Sequence, residues 1–411
     1  MEHSAKTGNK KFDIAIVGGG PVGLTLALGL AAIMPELKIC ICDKRHFEIP
    51  DDARSLALAA GVTRIFQSFG IWDEMKKNSS PISRMEITDS APSDRSRPLF
   101  LAFDGEVGPG QPFAHMVPFK DIVAALLKKV SGSVEMMEGV EVVSLETCGP
   151  EAKIGFADGA SIGAELIVAA DGSRSRLRSL AAIKTVTADY KQVGLVSTIA
   201  HEFEHNQTAY EHFRSGGPFA SLPLKGKISS LVWTETLQNA RKLLELAPKE
   251  QERHIEEAMG HCLGRVQLKQ AVQGFPLRLC IAREFVRPRL ALMGDAAHAI
   301  HPITGQGLNL GLKDVAVLLE IIINCVRRGQ DIGSLNILQE YERWRRPDVA
   351  MMALATDGLN RLFSNDVAIL RISRDLGLGL VDRVPALKKA LIRHAAAIGQ
   401  GEPRLLRGLE I

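Results

Sequence analysis

The sequence is short of aromatic side chains and of net charge, and each shortage excludes a class of partner. Phe, Trp and Tyr together make up 5% of the 411 residues, too few for an interleaved surface on which nucleic-acid bases stack. The formal net charge is only +3, so composition indicates no broad basic surface for a phosphate backbone. We therefore expect no nucleic acid among the partners of this chain.

Cysteine is scarce and scattered. The six cysteines form no Cys-x-x-Cys pair, and no histidine stands at zinc-ligand spacing from them. Cys40 and Cys42 share one face of a predicted apolar strand, where a free thiol behaves as a small hydrophobic side chain. We expect no metal site, and scattered free thiols are typical of a protein of the reducing cytoplasm.

One stretch of the chain approaches the length of a membrane span without a charge. Residues 14–34 contain no acidic or basic side chain, but the cluster Gly18-Gly19-Gly20-Pro21 interrupts them. The cluster divides the stretch into a short strand and a helix, each below the roughly 20 residues that a spanning helix needs. The chain is therefore expected to be soluble or peripheral at a membrane.

The glycine cluster itself is suited to binding a nucleotide. Gly18, Gly20 and Gly23 follow a predicted strand and open a predicted helix. Gly18 permits the tight turn, Gly20 lets the backbone approach a pyrophosphate at the helix N-terminus, and Gly23 lets helix and strand pack closely. Asp43, twenty residues after Gly23, would accept ribose hydroxyls. This context predicts an adenine dinucleotide site; an ordinary glycine turn is the alternative.

A second segment, late in the chain, suits a different part of a dinucleotide. Gly294 and Asp295 follow a predicted buried strand, and the Asp295 carboxylate could bond a polyol such as the ribityl chain of a flavin. A glycine-rich helix start comes next, whose N–H groups could reach the pyrimidine edge of a flavin. Its residues are Gly305, Gly307, Leu308 and Asn309. A capped helix start without a ligand is the alternative.

A third segment lies between these two. Asp171 and Gly172 precede three arginines within residues 174–178. The run fits a solvated helix start that Ser173 or Ser175 would cap, or a group that holds pyrophosphate or positions a reductant. A plain NAD dehydrogenase needs only the first of the three segments. All three, in this order, predict FAD and flavin chemistry.

The order of predicted elements indicates an α/β fold with an insertion. Strand and helix patterns predict a Rossmann-like FAD-binding domain, interrupted by a mixed, mostly antiparallel sheet that forms a substrate domain, and followed by a helical region. Apolar spacing also predicts a helix over 53–69. The predicted bounds are 11–80 with 113–183 and 279–345 for the FAD-binding domain, 81–112 with 184–278 for the substrate domain, and 346–411 for the C-terminal helical region.

The sequence resembles the class A flavoprotein aromatic hydroxylases, and among them the ubiquinone-biosynthesis branch of the 2-polyprenyl-6-methoxyphenol hydroxylase type. The resemblance extends over about residues 11–410 and includes tail phrases specific to the branch. The phrases are DARSLAL (52–58), AYEHF (209–213), GPFASLP (217–223), GDAAHAIHPITGQGLNLG (294–311), YERWRRPD (341–348) and TDGLNRLFSND (356–366).

The resemblance implies FAD held without a covalent bond, NAD(P)H as the reductant and O2 as a co-substrate. Reduced flavin would form a C4a-hydroperoxide that transfers one oxygen atom to the ring of a polyprenylated phenol. It identifies no catalytic residue. The implied cofactor-binding residues are Gly18, Gly20, Gly23, Asp43, Arg54, Asp171, Gly172, Gly294, Asp295, Pro302, Gly305, Gly307, Leu308 and Asn309.

Within this set, Arg54 would contact the FAD pyrophosphate, Asp171 and Gly172 would serve FAD and the pyridine nucleotide, and Pro302 would line the flavin. Two positions depart from the usual pattern of the branch. Asp43 stands where glutamate is more common, and Pro118-Phe119-Lys120 replaces an Asn-Arg pair.

The substrate would lie between the flavin and the inserted sheet, and other ubiquinone-biosynthesis proteins are the expected partners. Residues 386–398 predict a basic amphipathic helix, which would rest on its own domain or on a membrane surface. The expected location is the cytoplasm, or the inner face of the membrane for a peripheral protein. Candidates for the substrate wall, with plain sheet core as the alternative, are Tyr210, Phe213, Phe219 and Pro223.

Three rival functions compete with the hydroxylase. Another flavin oxidoreductase of the same fold, such as a prenyl reductase, would share the three segments. A non-catalytic flavin- or prenyl-binding partner in a membrane-associated complex would not need the segment at the flavin edge. A plain Rossmann dehydrogenase would need neither Asp171 nor Asp295. The hydroxylase is therefore the preferred function.

Replacing Asp295 with alanine should weaken FAD retention, because the substitution removes the carboxylate expected to bond the ribityl hydroxyls. The measurement is the ratio of flavin to protein absorbance in the purified variant and in the wild type. An Asp295→Ala variant that purifies with a full complement of flavin would contradict the assignment.

Overall fold

A computed structural model of the chain describes residues 10–52, 54–89, 99–104, 106–108, 110–300, 305–363, 396–399 and 401–411. The helices are α1 (Pro21–Ile33), α2 (Ala60–Ser68), α3 (Trp72–Lys76), α4 (Phe119–Val130), α5 (Arg176–Leu180), α6 (Leu237–Glu245), α7 (Pro248–Met259), α8 (Gly307–Arg327) and α9 (Leu335–Phe363), with short 3-10 helices at Gly294–Ala296 and Arg404–Arg407.

The strands are β1 (Lys10–Val17), β2 (Ile39–Asp43), β3 (Ser55–Ala59), β4 (Ser80–Ile82), β5 (Arg84–Asp89), β6 (Leu99–Asp104), β7 (Glu106–Gly108), β8 (Gln111–Pro112), β9 (Ala114–Pro118), β10 (Glu135–Glu138), β11 (Val142–Glu146), β12 (Ala152–Phe156), β13 (Ser161–Ala169), β14 (Thr185–His201), β15 (Thr208–Phe213), β16 (Phe219–Pro223), β17 (Ile228–Thr236), β18 (Val266–Leu268), β19 (Gln273–Ala282), β20 (Val286–Arg287), β21 (Leu290–Leu292) and β22 (His298–Ala299).

The first sheet is built around the N-terminal strand. β1 lies between β2 and β13 and is parallel to both, and β10 continues the parallel part beyond β2. The first half of β13 pairs with β12 in antiparallel fashion, whereas its last three residues pair with β21 in parallel. Every residue of β2 is buried, as its unbroken apolar run predicts for a parallel strand covered on both faces.

The predicted helix over 53–69 is wrong in its first part. Residues 55–59 form β3, and the helix α2 begins at Ala60. β3 pairs with β9 over its whole length, from Ser55 opposite Pro118 to Ala59 opposite Ala114. Pairing with a strand more than fifty residues away decides the conformation here, and apolar spacing within the segment cannot reveal it.

The second sheet has nine strands and is mostly antiparallel, as predicted. Its order is β22-β19-β14-β17-β16-β15-β5-β6, with β18 beside β14. Among these pairs only β15 and β5 run parallel. β14, with 17 residues, pairs with three other strands and is the centre of the sheet.

The two faces of this second sheet contact different parts of the molecule, because successive side chains of a strand point to opposite sides. One face is covered by α6 and α7 through a core that we call the helix-side cluster; it includes Leu195, Phe219, Leu231, Trp233 and Ile255. The other face meets the three-stranded sheet of β3, β9 and β4. The contact there is the inter-sheet cluster of Ile82, Ala114, Met116, Ala209 and Leu224.

The end of the chain returns to the first half of the molecule. The Gly61 N–H donates to the Ala396 carbonyl at 2.8 Å, and the Arg64 guanidinium donates to the Leu406 carbonyl at 3.1 Å. A Cβ on Gly61 would lie 2.1 Å from the Ala397 oxygen, so this contact requires glycine. The predicted amphipathic helix over 386–398 lies mostly outside the described residues. No helix within the described ranges is long and apolar enough to cross a membrane.

A buried polar network connects α9 to α8 and to the turn after β21. The Asp314 carboxylate accepts hydrogen bonds from the Gly294 N–H at 2.8 Å, from His298 Nε2 at 2.6 Å and from Arg345 Nε at 2.6 Å. The Asp314 side chain is fully buried and that of Arg345 is 2% exposed. Burial alone would raise the pKa of Asp314, but the charges of His298 and Arg345 outweigh burial and hold that pKa below its ordinary value.

Other residues of the same tail phrase strengthen this connection. The Arg345 guanidinium also donates to Asp348 at 2.7 Å. The Tyr341 hydroxyl donates to the Leu292 carbonyl at 2.9 Å, and the Glu342 carboxylate accepts from the Phe285 N–H at 3.0 Å. The YERWRRPD phrase therefore holds the long helix α9 against β21 and the segment that precedes it.

Replacing Arg345 with methionine should lower the free energy of unfolding by about 3–5 kcal/mol, since it leaves the Asp314 carboxylate buried without its guanidinium partner. Urea unfolding at pH 7 measures this loss. In the wild type, the pair of Asp314 and Arg345 stabilises the fold at pH values above the ordinary Asp pKa of 3.8. This stabilisation is lost as pH falls through the lowered pKa of native Asp314, so the unfolding free energies of the two proteins should converge in acid.

The matched control is Arg346→Met, one residue further on. Arg346 is 53% exposed and pairs with Glu342 at 3.3 Å, so its loss should cost less than about 1 kcal/mol. Equal destabilisation by the two substitutions would contradict the importance of the buried pair.

Candidate functional site

The glycine turn between β1 and α1 is shaped by backbone contacts at two of its glycines. Gly18 has φ +119°, and a Cβ there would lie 2.2 Å from the Ala170 oxygen. A Cβ on Gly23 would lie 2.0 Å from the Gly18 oxygen. A Cβ on Gly20, in contrast, would meet no protein atom within 4 Å. Contacts within the fold thus explain why positions 18 and 23 require glycine. The space beside Gly20, in contrast, fits a ligand that approaches the start of α1.

Asp43 links the end of β2 to this turn. One carboxylate oxygen accepts from the Gly19 N–H at 2.7 Å, and the other accepts from the Arg45 N–H at 2.8 Å. A carboxylate has about four acceptor positions, so both oxygens can still accept ribose hydroxyls. Asp43 therefore lies beside the predicted adenosine position and also stabilises the turn.

Asp171 follows β13, at the same edge of the sheet as Gly18. One of its oxygens accepts from the Arg176 and Leu177 N–H groups at 2.6 and 3.2 Å and caps α5. Its other oxygen, Oδ1, is buried and has no hydrogen-bond partner in the described chain. A buried acceptor without a partner is costly, so Asp171 fits a donor group of a bound ligand.

The arginines of this segment divide into two kinds. Arg178 is buried and donates to the Ala296 and Ser173 carbonyls at 2.7 and 2.8 Å, so it is a structural link to the turn that carries Asp295. Arg174 and Arg176 are exposed. The expectation that the arginines would hold pyrophosphate or a reductant therefore applies only to Arg174 and Arg176.

Asp295 and Arg54 are near enough for their charges to interact. Gly294, with φ +55°, turns the chain after β21 so that the Asp295 side chain remains accessible to solvent. The surrounding protein removes water from the Asp295 carboxyl and raises its pKa, an effect that the charges of His298 and Arg54 only partly offset. Arg54 is held by Asp52, with contacts of 2.6 to 2.9 Å, and its guanidinium lies 4.7 Å from the Phe119 ring centre.

The last of the predicted cofactor-binding residues lie at the start of α8, where the Asn309 side chain has a structural role. The Asn309 side chain accepts from the Ala59 N–H at 3.0 Å and donates to the Ala57 carbonyl at 2.8 Å, so it connects α8 to β3. Asn309 is also buried, so its side chain is not available to a ligand. The first N–H groups of a helix, here from Gly307 onward, have no intrahelical acceptor and carry a partial positive charge. Pro302 lies outside the described residues.

The four candidates for the substrate wall do not share a face. Phe219 is buried in the helix-side cluster, with its ring centre 5.5 Å from that of Trp233, and Tyr210 packs against the same cluster. Pro223 is four residues after Phe219 on β16, so the two side chains lie on the same face of the sheet. These three residues form sheet core, the alternative considered for them, and only Phe213 points to the opposite face. Sequence spacing along a single strand could not identify which face meets the flavin segment.

Sequence reasoning also missed the partners that hold the site. It identified neither Asp314, which fixes the Gly294 amide, nor Asp52, which fixes Arg54. A signal for Asp314 was present, since Lys313 and Asp314 are adjacent charges inside the apolar run of α8 and both are buried.

Comparisons with known proteins agree with this geometry. The family model for the FAD binding domain matches residues 11–356. The ubiquinone hydroxylase UbiL of Rhodospirillum rubrum is 37% identical over 98% of this chain and 94% of the relative. The ubiquinone biosynthesis monooxygenase COQ6 of Danio rerio is 30% identical over 96% of this chain and 92% of the relative.

Solved structures agree at the level of the fold. The crystal structure of p-nitrophenol 4-monooxygenase PnpA from Pseudomonas putida DLL-E4 superposes with a TM-score of 0.77 at 18% identity, covering 95% of this chain and 99% of that chain. The predicted α/β flavoprotein monooxygenase fold is thereby confirmed.

Replacing Gly20 with alanine should leave the stability of the FAD-free protein unchanged and weaken FAD binding about tenfold or more, which corresponds to ~1.4 kcal/mol. The reason is that the new methyl group meets no protein atom but occupies the space beside the start of α1. Fluorescence titration of the FAD-free protein with FAD measures the affinity.

Gly18→Ala is the matched comparison for Gly20→Ala. It should destabilise the fold by more than about 1 kcal/mol even without FAD, because of the positive φ and the contact with Ala170. Unchanged FAD affinity in Gly20→Ala would show that no ligand approaches the backbone at that position.

Proposed function

The chain belongs to the FAD-binding-domain family, and on that premise we propose that it is an FAD-dependent monooxygenase that hydroxylates the ring of a polyprenylated phenol in ubiquinone biosynthesis. The observation that carries this proposal is that the three segments contact one another: Gly18 lies against Ala170, Gly294 lies against Val22, and Arg178 donates to the Ala296 carbonyl. In addition, the ubiquinone-biosynthesis relatives match the chain over nearly their full length. FAD, with NAD(P)H as the reductant and O2 as the co-substrate, supplies the activated oxygen.

The residues at the N-terminal end of the site would bind the adenosine and pyrophosphate parts of FAD. The open space beside Gly20 admits the pyrophosphate to the positive end of α1, which has no side-chain cap of its own. Asp43 would accept the ribose hydroxyls. Arg54 would add a positive charge near the pyrophosphate, held in place by Asp52.

The residues after β21 would bind the flavin part. Asp295 would accept hydrogen bonds from the ribityl hydroxyls, and Asp171 Oδ1 would accept from the same cofactor or from the pyridine nucleotide. The N–H groups at the start of α8 would face the pyrimidine edge of the flavin. Because they carry partial positive charge, they stabilise the negative charge that the ring gains on reduction.

The substrate ring would lie between that pyrimidine edge and the face of the second sheet that carries the inter-sheet cluster. We propose that the chain is divided into an FAD-binding domain (11–80, 113–183 and 279–345), a substrate domain (81–112 and 184–278) and a C-terminal region (346–411). The apolar surroundings would exclude water while the oxygen atom is transferred.

A polyprenyl chain partitions into lipid, so we propose that the enzyme acts as a peripheral protein at the inner face of the membrane, beside other ubiquinone-biosynthesis proteins. Three apolar side chains on one side of α9 support such a contact. Trp344, Met351 and Leu354 are 38%, 61% and 75% exposed.

The test is an absorption spectrum of the purified protein, followed by anaerobic addition of NADH or NADPH with and without a short-chain prenylphenol. We expect bound FAD, faster reduction of FAD in the presence of the phenol, and hydroxylated product when air is admitted. Flavin that neither nucleotide reduces, with or without phenol, would favour a prenyl reductase with another reductant or a non-catalytic binding partner.

A further inference from the structure

Glu211 lies on the face of the second sheet that the substrate would contact. It follows Tyr210 on β15, and successive side chains of a strand alternate between faces. Ala209, two residues earlier, belongs to the inter-sheet cluster, whereas Tyr210 packs against the helix-side cluster. Glu211 therefore shares the face of Ala209 and points away from α6 and α7.

That face adjoins the segment proposed to meet the flavin. The inter-sheet cluster is packed against Ala57 of β3, and the Ala57 carbonyl accepts a hydrogen bond from the Asn309 side chain at 2.8 Å. A Cβ on Gly305 would lie 3.9 Å from the Ala57 Cβ. β3 thus contacts both the start of α8 and the inter-sheet cluster, which lies on the face of Ala209 and Glu211.

The neighbours of Glu211 are apolar. Directly opposite it in the strand register are Ala220 on β16 and Ile87 on β5, and Val232 of β17 continues the same row beyond Ala220. In the described chain the Glu211 carboxyl has no hydrogen bond and no ion pair, although part of the side chain remains accessible to the space beside the sheet. Burial of the carboxyl among these neighbours raises its pKa to about 8.

Three titratable groups of the surrounding strands, His115, Glu86 and His212, point elsewhere. On β9, His115 packs edge-on against Trp72, with ring centres 5.1 Å apart. Glu86 of β5 and His212 of β15 alternate to the helix-side face, opposite Glu211. No charge within the described residues contributes to the raised pKa of Glu211.

We propose that Glu211 is the catalytic base that accepts the proton of the substrate's ring hydroxyl; this assignment rests on the proposed hydroxylase function. The phenolic O–H bond breaks, its electron pair stays on the ring oxygen, and the carboxylate gains the proton. The oxygen atom supplied by the cofactor chemistry then adds to an electron-rich ring carbon. As aromaticity returns, that carbon loses its own proton, which is taken up by the second oxygen atom of O2 as that atom leaves as water. Glu211 gives its proton back to the ring oxygen.

The environment of Glu211 suits it to this task. A free phenol has a pKa near ~10, whereas an ordinary Glu carboxyl near ~4.3 is too weak a base to remove its proton efficiently. With its pKa raised to about 8, Glu211 lies within about two units of the phenol. It is ionised above that value, so kcat/KM for hydroxylation should rise with pH through about 8.

The experiment compares wild type, Glu211→Gln and Glu86→Gln in hydroxylation of a short-chain prenylphenol across pH 6–10. Glu211→Gln should lower kcat by about 100-fold, with FAD content and prenylphenol KM close to wild type, and should abolish the rise in kcat/KM near pH 8. Glu86→Gln removes a carboxylate from the other face of the same part of the sheet and should behave as wild type.

Glu211→Asp provides a second measure that does not depend on the glutamine variant folding. This variant keeps a carboxylate on a side chain shorter by one methylene. The hydroxylation rate should therefore fall, while kcat/KM should still rise with pH. A Glu211→Gln enzyme with the wild-type rate and pH profile would overturn the Glu211 assignment but not the proposed hydroxylase function. A Glu211→Asp enzyme whose kcat/KM does not rise near pH 8 would do the same. Wild type that binds FAD and prenylphenol but forms no hydroxylated product would overturn the proposed function and this assignment with it.

Discussion

The fully buried Asp314 carboxylate is the interaction on which the rest of the site depends. It accepts hydrogen bonds from the Gly294 amide, His298 and Arg345, which belong to the turn after β21, to β22 and to α9. Removing a carboxylate and a guanidinium from water is costly, and close pairing with several hydrogen bonds offsets that cost. In return, the pair determines where the Asp295 turn lies relative to the start of α8. A hydrophobic contact could hold the same helices together, but it is not directional and would leave their register less well defined.

Several residues of the site have a structural role in addition to the proposed ligand contact. Asp171 uses one oxygen to cap α5 and leaves the other buried and unpaired. Asp43 holds the glycine turn through one oxygen, and its other oxygen accepts from the Arg45 N–H. The Asn309 side chain bonds β3 and Gln306, so the proposed contact with the flavin at the start of α8 is assigned to backbone amides. Backbone amides of a helix are rigid and need no reorganisation when charge develops on a bound ring.

Local patterns in the sequence were sufficient for some parts of the molecule. The unit of β1, α1 and β2 and the position of Asp43 followed from a glycine spacing and two apolar runs, because these elements are neighbours in the chain. The strand β3 did not follow, since its partner β9 lies more than fifty residues away. The wall candidates Tyr210 and Phe219 were assigned without knowing which face α6 and α7 cover. Glu211 was quoted only as part of a family phrase, because a raised pKa depends on neighbours from β5 and β16 that no single segment contains.

The strand order of the first sheet has a consequence for synthesis on the ribosome. β1 emerges first, but its partner β13 ends at Ala169, β21 follows at Leu290–Leu292, and Arg345 comes about fifty residues later. The strands β14 to β19, by contrast, are contiguous in sequence and largely pair with one another. Since translation proceeds from the N-terminus and domains fold as units, the inserted sheet has most of its partners while the N-terminal strands still wait for theirs. A nascent chain interrupted before Arg345 therefore contains the strands of the second sheet but lacks the guanidinium that pairs with the buried Asp314 carboxylate.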